Sequence, residues 1–174
     1  FFGEINLRWS VDKIFLNTNT SGNICNNLAI FTSRPDRNLK MLIDIWTKLI
    51  IPNNDKLRLL VTDNSYDYSE KSIIKRKLSD QRDLVKDLKS ARMILIPGHK
   101  AELYCLAAEE ARELCIPIVT LGIGCLAERV DHEITGFIAN NQNEFANYTL
   151  NLFNNDNLWK KIRNNLIERK NSTT

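Results

Sequence analysis

Five short apolar runs, separated by segments of helical periodicity, constrain the fold of this chain more than any other feature. They are rich in branched side chains and occupy residues 28–32, 57–62, 92–97, 116–120 and 135–139. Continuous apolar runs of this length are typical of strands that are covered on both faces, as in a parallel sheet. Their alternation with helices predicts an α/β domain, with a doubly wound parallel sheet and helices on both of its faces.

The segments between the runs carry the signals of helices. Apolar residues recur at steps of three and four over residues 39–50, and Pro52 follows this pattern. Asp80 is predicted to cap a second helix, and residues 104–114 are predicted to form a third. Two further helices are expected after residue 140, because large apolar residues recur at helical intervals among the asparagines of that segment.

The length of the chain indicates a single domain. Its 174 residues fit the usual size of roughly 100–200 residues per domain. We assign residues 27–170 to the domain and residues 171–174 to a frayed tail. Residues 1–26 are interpreted as a linker or peripheral segment, and the alternative to a linker is a peripheral strand around residues 13–16.

Composition and charge exclude several classes of function. The net charge is +3, from 24 basic and 21 acidic residues mixed along the chain, so no nucleic-acid surface is predicted. The four cysteines and two histidines lack the spacing of a zinc site, and no metal is expected. Scattered cysteines fit reduced thiols, which predicts a cytoplasmic protein. No apolar run reaches the ~18 residues of a membrane span.

Two glutamates carry the functional prediction. Glu102 and Glu110 are separated by seven residues. Glu102 comes shortly after Gly98, where the chain leaves the carboxyl end of a predicted strand, and ligands of open α/β sheets bind at such ends. Glu110 falls two turns later in the predicted helix, so that both carboxylates can face one crevice.

The spacing of this helix makes Glu110 the more informative of the two. The core-facing stripe is predicted to comprise Leu103, Ala107, Glu110 and Leu114. A carboxylate in such a stripe needs hydrogen bonds, which either the hydroxyl groups of a ligand or amides and arginines of the protein can supply. The sequence leaves both alternatives open. Glu109 and Glu113 are interpreted as a solvated face without a function.

The start of the same helix is a predicted anion site. Its first amides have no partner within the helix, and its dipole favours a negative group such as a phosphate. Leu103, Tyr104 and Cys105 would present these amides.

These residues resemble the family-4 retaining glycosyltransferases, which have the GT-B architecture. The C-terminal domains of that family carry two glutamates separated by seven residues, then a helix, a proline and an apolar strand, as in ELYCLAAEEARELCIPIVT at residues 102–120. Further matches follow in the expected order, and they are FTSRPDRNL (31–39), SARMILIP (90–97), GCLAERV (124–130) and TGFI (135–138). The resemblance covers residues 27–170 and implies a Rossmann-like donor domain, one half of a GT-B enzyme.

The resemblance implies a role for each matching residue. Glu110 matches the glutamate that binds the ribose hydroxyls of the nucleotide, and Glu102 matches the one beside the donor sugar and the reaction centre. Arg34 and Arg37 match the basic pair that clamps the diphosphate, so Glu102 and Arg37 are the expected catalytic residues. Many members have Lys-Gly where this chain has Arg37-Asn38, and Lys40 is the alternative to Arg37.

The remaining donor contacts are expected from the backbone. The amides of Tyr104, Cys105 and Leu106 would cradle phosphate or sugar. The family commonly has glycine where this chain has Leu103 and Cys105, which is expected to narrow the pocket for the sugar. Cys115 likewise replaces a glycine that often ends the helix in a left-handed conformation.

The implied function is the binding of a nucleoside-diphosphate sugar for retaining transfer to an acceptor. The acceptor would be a glycan, a lipid or a protein, held by an N-terminal domain that has no counterpart in these residues. The isolated domain is therefore expected to be inactive. The resemblance implies no cofactor and no metal, and it is compatible with peripheral membrane association of a full-length protein.

Two other functions remain open at this point. Residues 122–127 fit the dinucleotide-binding pattern G-x-G-x-x-A, but they follow about the fourth predicted strand, whereas that fingerprint opens the first strand–helix unit. The alternative for this segment is a tight loop that needs the flexibility of glycine. The non-enzymatic alternative is a nucleotide-binding or scaffold domain of the same fold that has lost catalysis.

Overall fold

The computed structural model describes residues 11–22, 24–62, 68–77 and 80–173. The helices and strands follow one another as α1 (Lys13–Asn17), β1 (Cys25–Phe31), α2 (Leu39–Ile45), β2 (Arg58–Val61), β3 (Ile73–Lys75), α3 (Gln81–Ser90), β4 (Ala91–Gly98), α4 (Leu106–Glu113), β5 (Ile118–Ile123), α5 (Leu126–Arg129), β6 (Gly136–Ile138), α6 (Gln142–Asn154) and α7 (Asp156–Thr173). Among these described residues, no helix combines the length and the apolar character needed to cross a bilayer.

The strands form one parallel sheet of six strands in the order β3-β2-β1-β4-β5-β6. All five predicted strands are present, with shifted ends, and helices cover both faces, so the predicted doubly wound α/β fold is confirmed. The chain reverses its direction of winding between the adjacent strands β1 and β4. Loops that leave two such strands diverge, and the crevice between them is the usual ligand site of these sheets.

The central strand β4 shows why the apolar runs lack polar alternation. All eight of its residues are buried. Met93 and Leu95 pack with α2, α6 and α7 on one face of the sheet. Ile94 and Ile96 pack with α1, α3, α4 and α5 on the other. Because both faces are covered, the strand gives the loop at its carboxyl end a rigid base.

The segment around residues 13–16 is a helix, so the prediction of a strand there is wrong. Asp12 caps α1, since its carboxylate accepts a hydrogen bond from the Ile14 amide at 2.9 Å. Phe15 is completely buried in the core beside α3 and α4. One cap and one buried aromatic residue are enough to fix a single helical turn against the domain. Residues 1–10 of the predicted linker lie outside the described part of the chain.

The helix predicted over residues 39–50 is present but is not α-helical throughout. It passes into a π turn at Trp46 and into a 3-10 turn at Ile51. Pro52 lies within the last turn, where it has no amide hydrogen to donate. The change of hydrogen-bond pattern therefore precedes the proline instead of ending the helix sharply.

The other predicted helices are also present. Asp80 caps α3 as predicted, because it accepts hydrogen bonds from the amides of Arg82 and Asp83 at 2.9 and 3.0 Å. Two helices, α6 and α7, follow residue 140. The prediction of a frayed tail at residues 171–174 is wrong as far as Thr173, at which α7 ends.

The short strand β3 was not predicted from the sequence. It has three residues and lies at the edge of the sheet, where Ile74 and Lys75 are exposed. A strand of this length, with exposed residues and basic neighbours, has too few apolar positions to produce a readable pattern.

Candidate functional site

A cleft of about 740 Å³ opens at the carboxyl ends of β1 and β4. It is lined by the loop after β1, the loop after β4 and the beginning of α4. The residues predicted for the site all line this cleft, and they are Arg34, Arg37, Glu102, Tyr104, Cys105, Leu106 and Glu110. The fold thus brings together residues that lie up to 76 positions apart in the sequence, at the place where parallel sheets bind ligands.

Arg37 and Glu102 face each other across the floor of the cleft. Arg37 Nε lies 3.6 Å from Glu102 Oε2, and the two side chains are 21% and 14% exposed. Glu102 Oε2 is itself buried and accepts no hydrogen bond from the described residues. A buried carboxylate oxygen without a hydrogen-bond donor is rare in folded proteins. It therefore provides an acceptor that a hydroxyl group of a ligand could use.

Arg34 occupies a different position from Arg37. Its side chain is 75% exposed and forms an ion pair of 2.7 Å with Asp36. Arg34 therefore lies at the rim of the cleft, with part of its charge compensated by the protein itself. Lys40, the alternative to Arg37, lines two other surface depressions and does not line this cleft.

The conformation of Asn38 supports the sequence register in which Arg37 is the basic residue of the loop. Asn38 has a φ of 65°, in the left-handed region, and its side-chain amide donates to the carbonyl of Gly98. Glycine adopts this conformation without strain, and asparagine does so more readily than other residues. Arg37-Asn38 consequently has the backbone geometry that a Lys-Gly pair would have in the same place.

The helix α4 begins two residues later than the sequence predicts. Cys105 has a φ of 58° and occupies the capping position, so the first helical amides are those of Leu106 and Ala107. Leu103 is 88% exposed and precedes the helix, so its predicted place in the core-facing stripe is wrong. The cleft is nevertheless bounded by the amino end of α4, where a negative group is favoured.

Cys105 is not suited to act as a nucleophile. Burial raises the pKa of its thiol to about 12, so the reactive thiolate is not formed near neutral pH.

No group of three or more histidine, cysteine, aspartate or glutamate side chains that could hold a metal ion occurs within residues 11–22, 24–62, 68–77 and 80–173.

Glu110 is half-buried in the wall of the cleft. Burial raises its pKa to about 7, although the positive charge of Arg76 opposes this effect. Its carboxylate makes no hydrogen bond or ion pair with another described residue. The sequence leaves open whether a ligand or the protein itself supplies hydrogen bonds to this carboxylate. The amides and arginines of the described chain do not supply them.

The fully buried carboxylate of α4 is that of Glu109, which the sequence analysis assigns to a solvated face. That assignment is wrong, since the Glu109 side chain is 3% exposed and forms ion pairs with Arg112 and Arg129. α4 packs against α5 as well as against the sheet, so its buried surface is wider than one stripe. In the sequence this contact is indicated only by Arg129, which belongs to α5. This helix is too short to show a periodic pattern.

The glycine-rich loop after β5 supports the Glu102 loop instead of facing the cleft. Gly124 has a φ of 74°, and a Cβ atom there would lie 2.4 Å from the His99 carbonyl oxygen and 2.8 Å from that of Glu102. The amide of Cys125 donates to the Glu102 carbonyl at 3.0 Å. The glycine pattern at residues 122–127 is therefore explained by close packing, and the dinucleotide-binding alternative loses its basis.

Comparison with known proteins gives the family of the chain. The model of the family described as glycosyl transferases group 1 matches residues 26–171. No curated protein matches the sequence significantly.

Solved structures show where this fold occurs. A mutant of TarM from S. aureus, in complex with fondaparinux, alpha-GlcNAc-glycerol and UDP, superposes with a TM-score of 0.71 at 18% identity, over 89% of this chain and 35% of that one. The C-terminal domain of LpcC, a glycosyl transferase group 1 family protein from Francisella tularensis, gives 0.68 at 16% identity, over 84% of both chains. Anabaena HepE in complex with UDP and glucose gives 0.69 at 14% identity, over 92% of this chain and 46% of that one. At these identities the likeness shows the fold, and the chain spans less than half the length of TarM and HepE.

Proposed function

Because the chain belongs to the family of group 1 glycosyl transferases, we propose that its cleft binds the nucleoside-diphosphate sugar from which a glycosyl group is transferred. The structures of TarM and HepE contain UDP, which makes a uridine nucleotide the first ligand to test. The observation that carries the proposal is the set of unsatisfied groups in one cleft. Glu102 Oε2 and the Glu110 carboxylate accept no hydrogen bond from described residues, and Arg37 lies 3.6 Å from Glu102 Oε2.

Each of these groups matches a part of such a ligand. Ribose hydroxyls are hydrogen-bond donors, and the Glu110 carboxylate is an acceptor that satisfies them. The diphosphate carries the negative charge that Arg37 and the amides of Leu106 and Ala107 favour. Glu102 then lies next to the sugar, where its free oxygen can accept a hydrogen bond from a sugar hydroxyl.

The same arrangement supports the transfer step. When an acceptor hydroxyl oxygen forms a bond to the sugar C1, the bond between C1 and the diphosphate oxygen breaks. The diphosphate takes the electron pair, and its charge grows until it accepts the proton of that hydroxyl. A fixed arginine and a helix amino end stabilise that charge more strongly in the transition state than in the bound donor. Arg37 and Glu102 are therefore proposed as catalytic residues, with retention of configuration at C1 and without a metal ion.

The acceptor is proposed to bind outside the described cleft walls. The chain corresponds to 35% of the length of TarM and to 46% of that of HepE. We therefore expect a second domain to hold an acceptor glycan, lipid or protein, and the present domain to bind donor without turnover. A cytoplasmic location of this donor domain fits the reduced thiols expected from its scattered cysteines.

Titration calorimetry with UDP, UDP-glucose, GDP, ADP and NAD, in the presence of EDTA, tests the proposal. We expect one nucleoside diphosphate to bind, and Glu110→Ala to weaken it by roughly tenfold or more, because charge-assisted hydrogen bonds are removed. Lys40→Ala is the matched control, since Lys40 lies outside the cleft, and it should bind normally. Binding of NAD in place of the diphosphates would contradict the assignment, as would a Glu110→Ala variant with unchanged affinity.

One observation favours the alternative of a nucleotide-binding domain without catalysis. Cys105 and the exposed Leu103 line the cleft at positions where the family commonly has glycine, and their side chains are expected to narrow the space for the sugar. In that case UDP should bind, and UDP-glucose should bind much more weakly. Equal or tighter binding of UDP-glucose would favour the transferase.

A further inference from the structure

A buried ion pair lies directly behind the loop that lines the cleft. The Glu109 side chain is 3% exposed, and its Oε1 lies 3.1 Å from Arg129 Nη1. Its second oxygen is paired with Arg112, which is half exposed. Neither Glu109 nor Arg129 lines the cleft, so neither is placed to touch a ligand there.

Arg129 connects this pair to the loop. It ends α5, and its guanidinium carbon lies 4.5 Å from the centre of the Tyr104 ring, a distance at which cation and ring attract each other. The phenol is close enough to Glu109 for that carboxylate to contribute, after burial, to a raised pKa of Tyr104. The guanidinium is therefore fixed by Glu109 and offers one face to the Tyr104 ring.

Tyr104 is the side chain that ties the middle of the loop to the domain. Its neighbour Leu103 is 88% exposed and has little contact with the protein. The two ends of the loop are fixed by hydrogen bonds of the backbone, from Cys125 to Glu102 and from Ala108 to Cys105. Between these ends the chain has to maintain the left-handed conformation of Cys105, which a residue other than glycine adopts only when its surroundings impose it.

The ion pair is not required to fill the space between α4 and α5. The same two helices already contribute buried apolar residues to the core, among them Ala108, Ala111 and Leu126. Replacing a buried ion pair by apolar residues of similar volume is often neutral or stabilising. Arg129 Nε is moreover buried without a hydrogen-bond partner among the described residues, which is unfavourable. The main effect of the buried Glu109–Arg129 pair is therefore to orient the guanidinium, and not to stabilise the fold.

We propose that Glu109 and Arg129 are positioning residues that hold Tyr104, and with it the backbone of residues 102–105, in the conformation that receives the sugar diphosphate. The inference rests on the proposed function and extends it to two residues that do not contact the ligand. Glu109 orients Arg129, Arg129 stacks on Tyr104, and Tyr104 fixes the loop between the two backbone hydrogen bonds.

Amide hydrogen exchange of the whole chain without ligand tests the positioning directly. In Glu109→Leu and in Tyr104→Leu, we expect the amides of residues 102–107 to exchange roughly tenfold faster, because the stacking contact is lost. Lys48→Met removes an exposed ion pair with Asp44 and should leave these amides unchanged. Wild-type rates in Glu109→Leu, or equal acceleration in Lys48→Met, would overturn the inference.

Titration with UDP and UDP-glucose separates this inference from the proposed function. Glu109→Leu should weaken UDP-glucose roughly tenfold and UDP by less, because the loop beside Glu102 contacts the sugar end. Glu109→Gln retains an acceptor for Arg129 and should restore most of the affinity, which also covers the case in which the leucine variant does not fold. If the wild-type chain binds neither compound, the proposed function fails while the exchange result still decides the positioning. If the wild-type binds both and Glu109→Leu binds them equally well, the positioning fails alone.

Discussion

The Nη1 atom of Arg37 lies 3.1 Å from Nδ1 of His99, and the Ala101 amide donates to the same nitrogen, also at 3.1 Å. In this arrangement Nδ1 of His99 is the acceptor for both donors. The loop after β4 thus holds the arginine of the loop after β1. This contact joins the two halves of the sheet across the cleft.

The first prediction concerns this contact. His99→Leu removes the acceptor and should weaken UDP binding roughly tenfold, because Arg37 is no longer held beside Glu102. His99→Asn retains an acceptor oxygen in nearly the same place and should bind within about threefold of the wild-type affinity. Titration calorimetry measures both variants. Full affinity in His99→Leu would show that Arg37 does not need this contact.

The second prediction is a dependence on pH that comes from Glu110. Its pKa of about 7 means that the carboxylate is only partly ionised at neutral pH. The ionised form accepts hydrogen bonds from ribose hydroxyls more strongly, so UDP affinity should rise between about pH 6 and pH 8. Glu110→Gln should flatten this rise, and titrations at several pH values would reveal it.

The free energy of unfolding of the ligand-free domain should fall with rising pH, whereas the affinity for UDP should rise. The pKa of Glu110 is higher in the folded state, about 7, than the ordinary value of 4.5. The contribution of Glu110 to the free energy of unfolding is therefore fully present below pH 4.5 and is lost as the pH rises through 7. Denaturation with urea at several pH values should show that Glu110→Gln loses less stability over this range. An identical profile in both proteins would contradict the raised pKa.

The third prediction concerns the support of the Glu102 loop. Gly124→Ala places a Cβ atom 2.4 Å from a backbone oxygen at a φ of 74°, so the backbone has to move. We expect a loss of about 2–4 kcal/mol in the free energy of unfolding, from strain and from the lost hydrogen bond of Cys125. Gly22→Ala is the control, since its Cβ would meet only the flexible Lys89 side chain at 3.4 Å. That variant should change stability by less than about 1 kcal/mol.

The fourth prediction concerns the anchor of the C-terminal helices. Arg92 is 1% exposed and bonds to the Leu152 carbonyl and to Asp156, while its guanidinium lies 5.0 Å from the Trp159 ring centre. Arg92→Met should cost about 2–4 kcal/mol in unfolding free energy, because the buried Leu152 carbonyl loses its donor and Asp156 loses its ion pair. Lys48→Met removes an exposed ion pair with Asp44 and should cost less than about 0.5 kcal/mol. Similar losses in both variants would contradict the role of Arg92.

The sequence is sufficient to predict two kinds of feature, which are long buried strands and functional residues that lie at a recognisable spacing. Strand β4 is predictable because all eight of its residues are buried and, apart from Arg92, none is charged. The location of Glu102 and Glu110 in one site is predictable because their spacing places Glu102 at the end of a strand and Glu110 on the following helix. The parallel sheet then brings Arg37 to the same place, since the carboxyl ends of adjacent parallel strands share an edge.

The features that the sequence does not reveal depend on contacts between short elements. A periodic stripe that includes Leu103 and Glu110 assumes a helix that starts at residue 104, whereas the left-handed Cys105 delays it. Glu109 is buried by α5, a helix of four residues that is too short to carry a pattern. Helix α1, with five residues, is missed for the same reason.

The position of β1 between β2 and β4 has a consequence for the way in which the domain forms. β1 pairs with both of these strands, and β4 begins about sixty residues after β1 along the chain. The central pairing is therefore a late, long-range event in folding, and a chain still being synthesised cannot complete it before Gly98 has emerged from the ribosome. The same event brings Arg37 to His99 and Glu102. The binding cleft and the core of the sheet should accordingly appear in a single kinetic phase, with no compact precursor that already has a site.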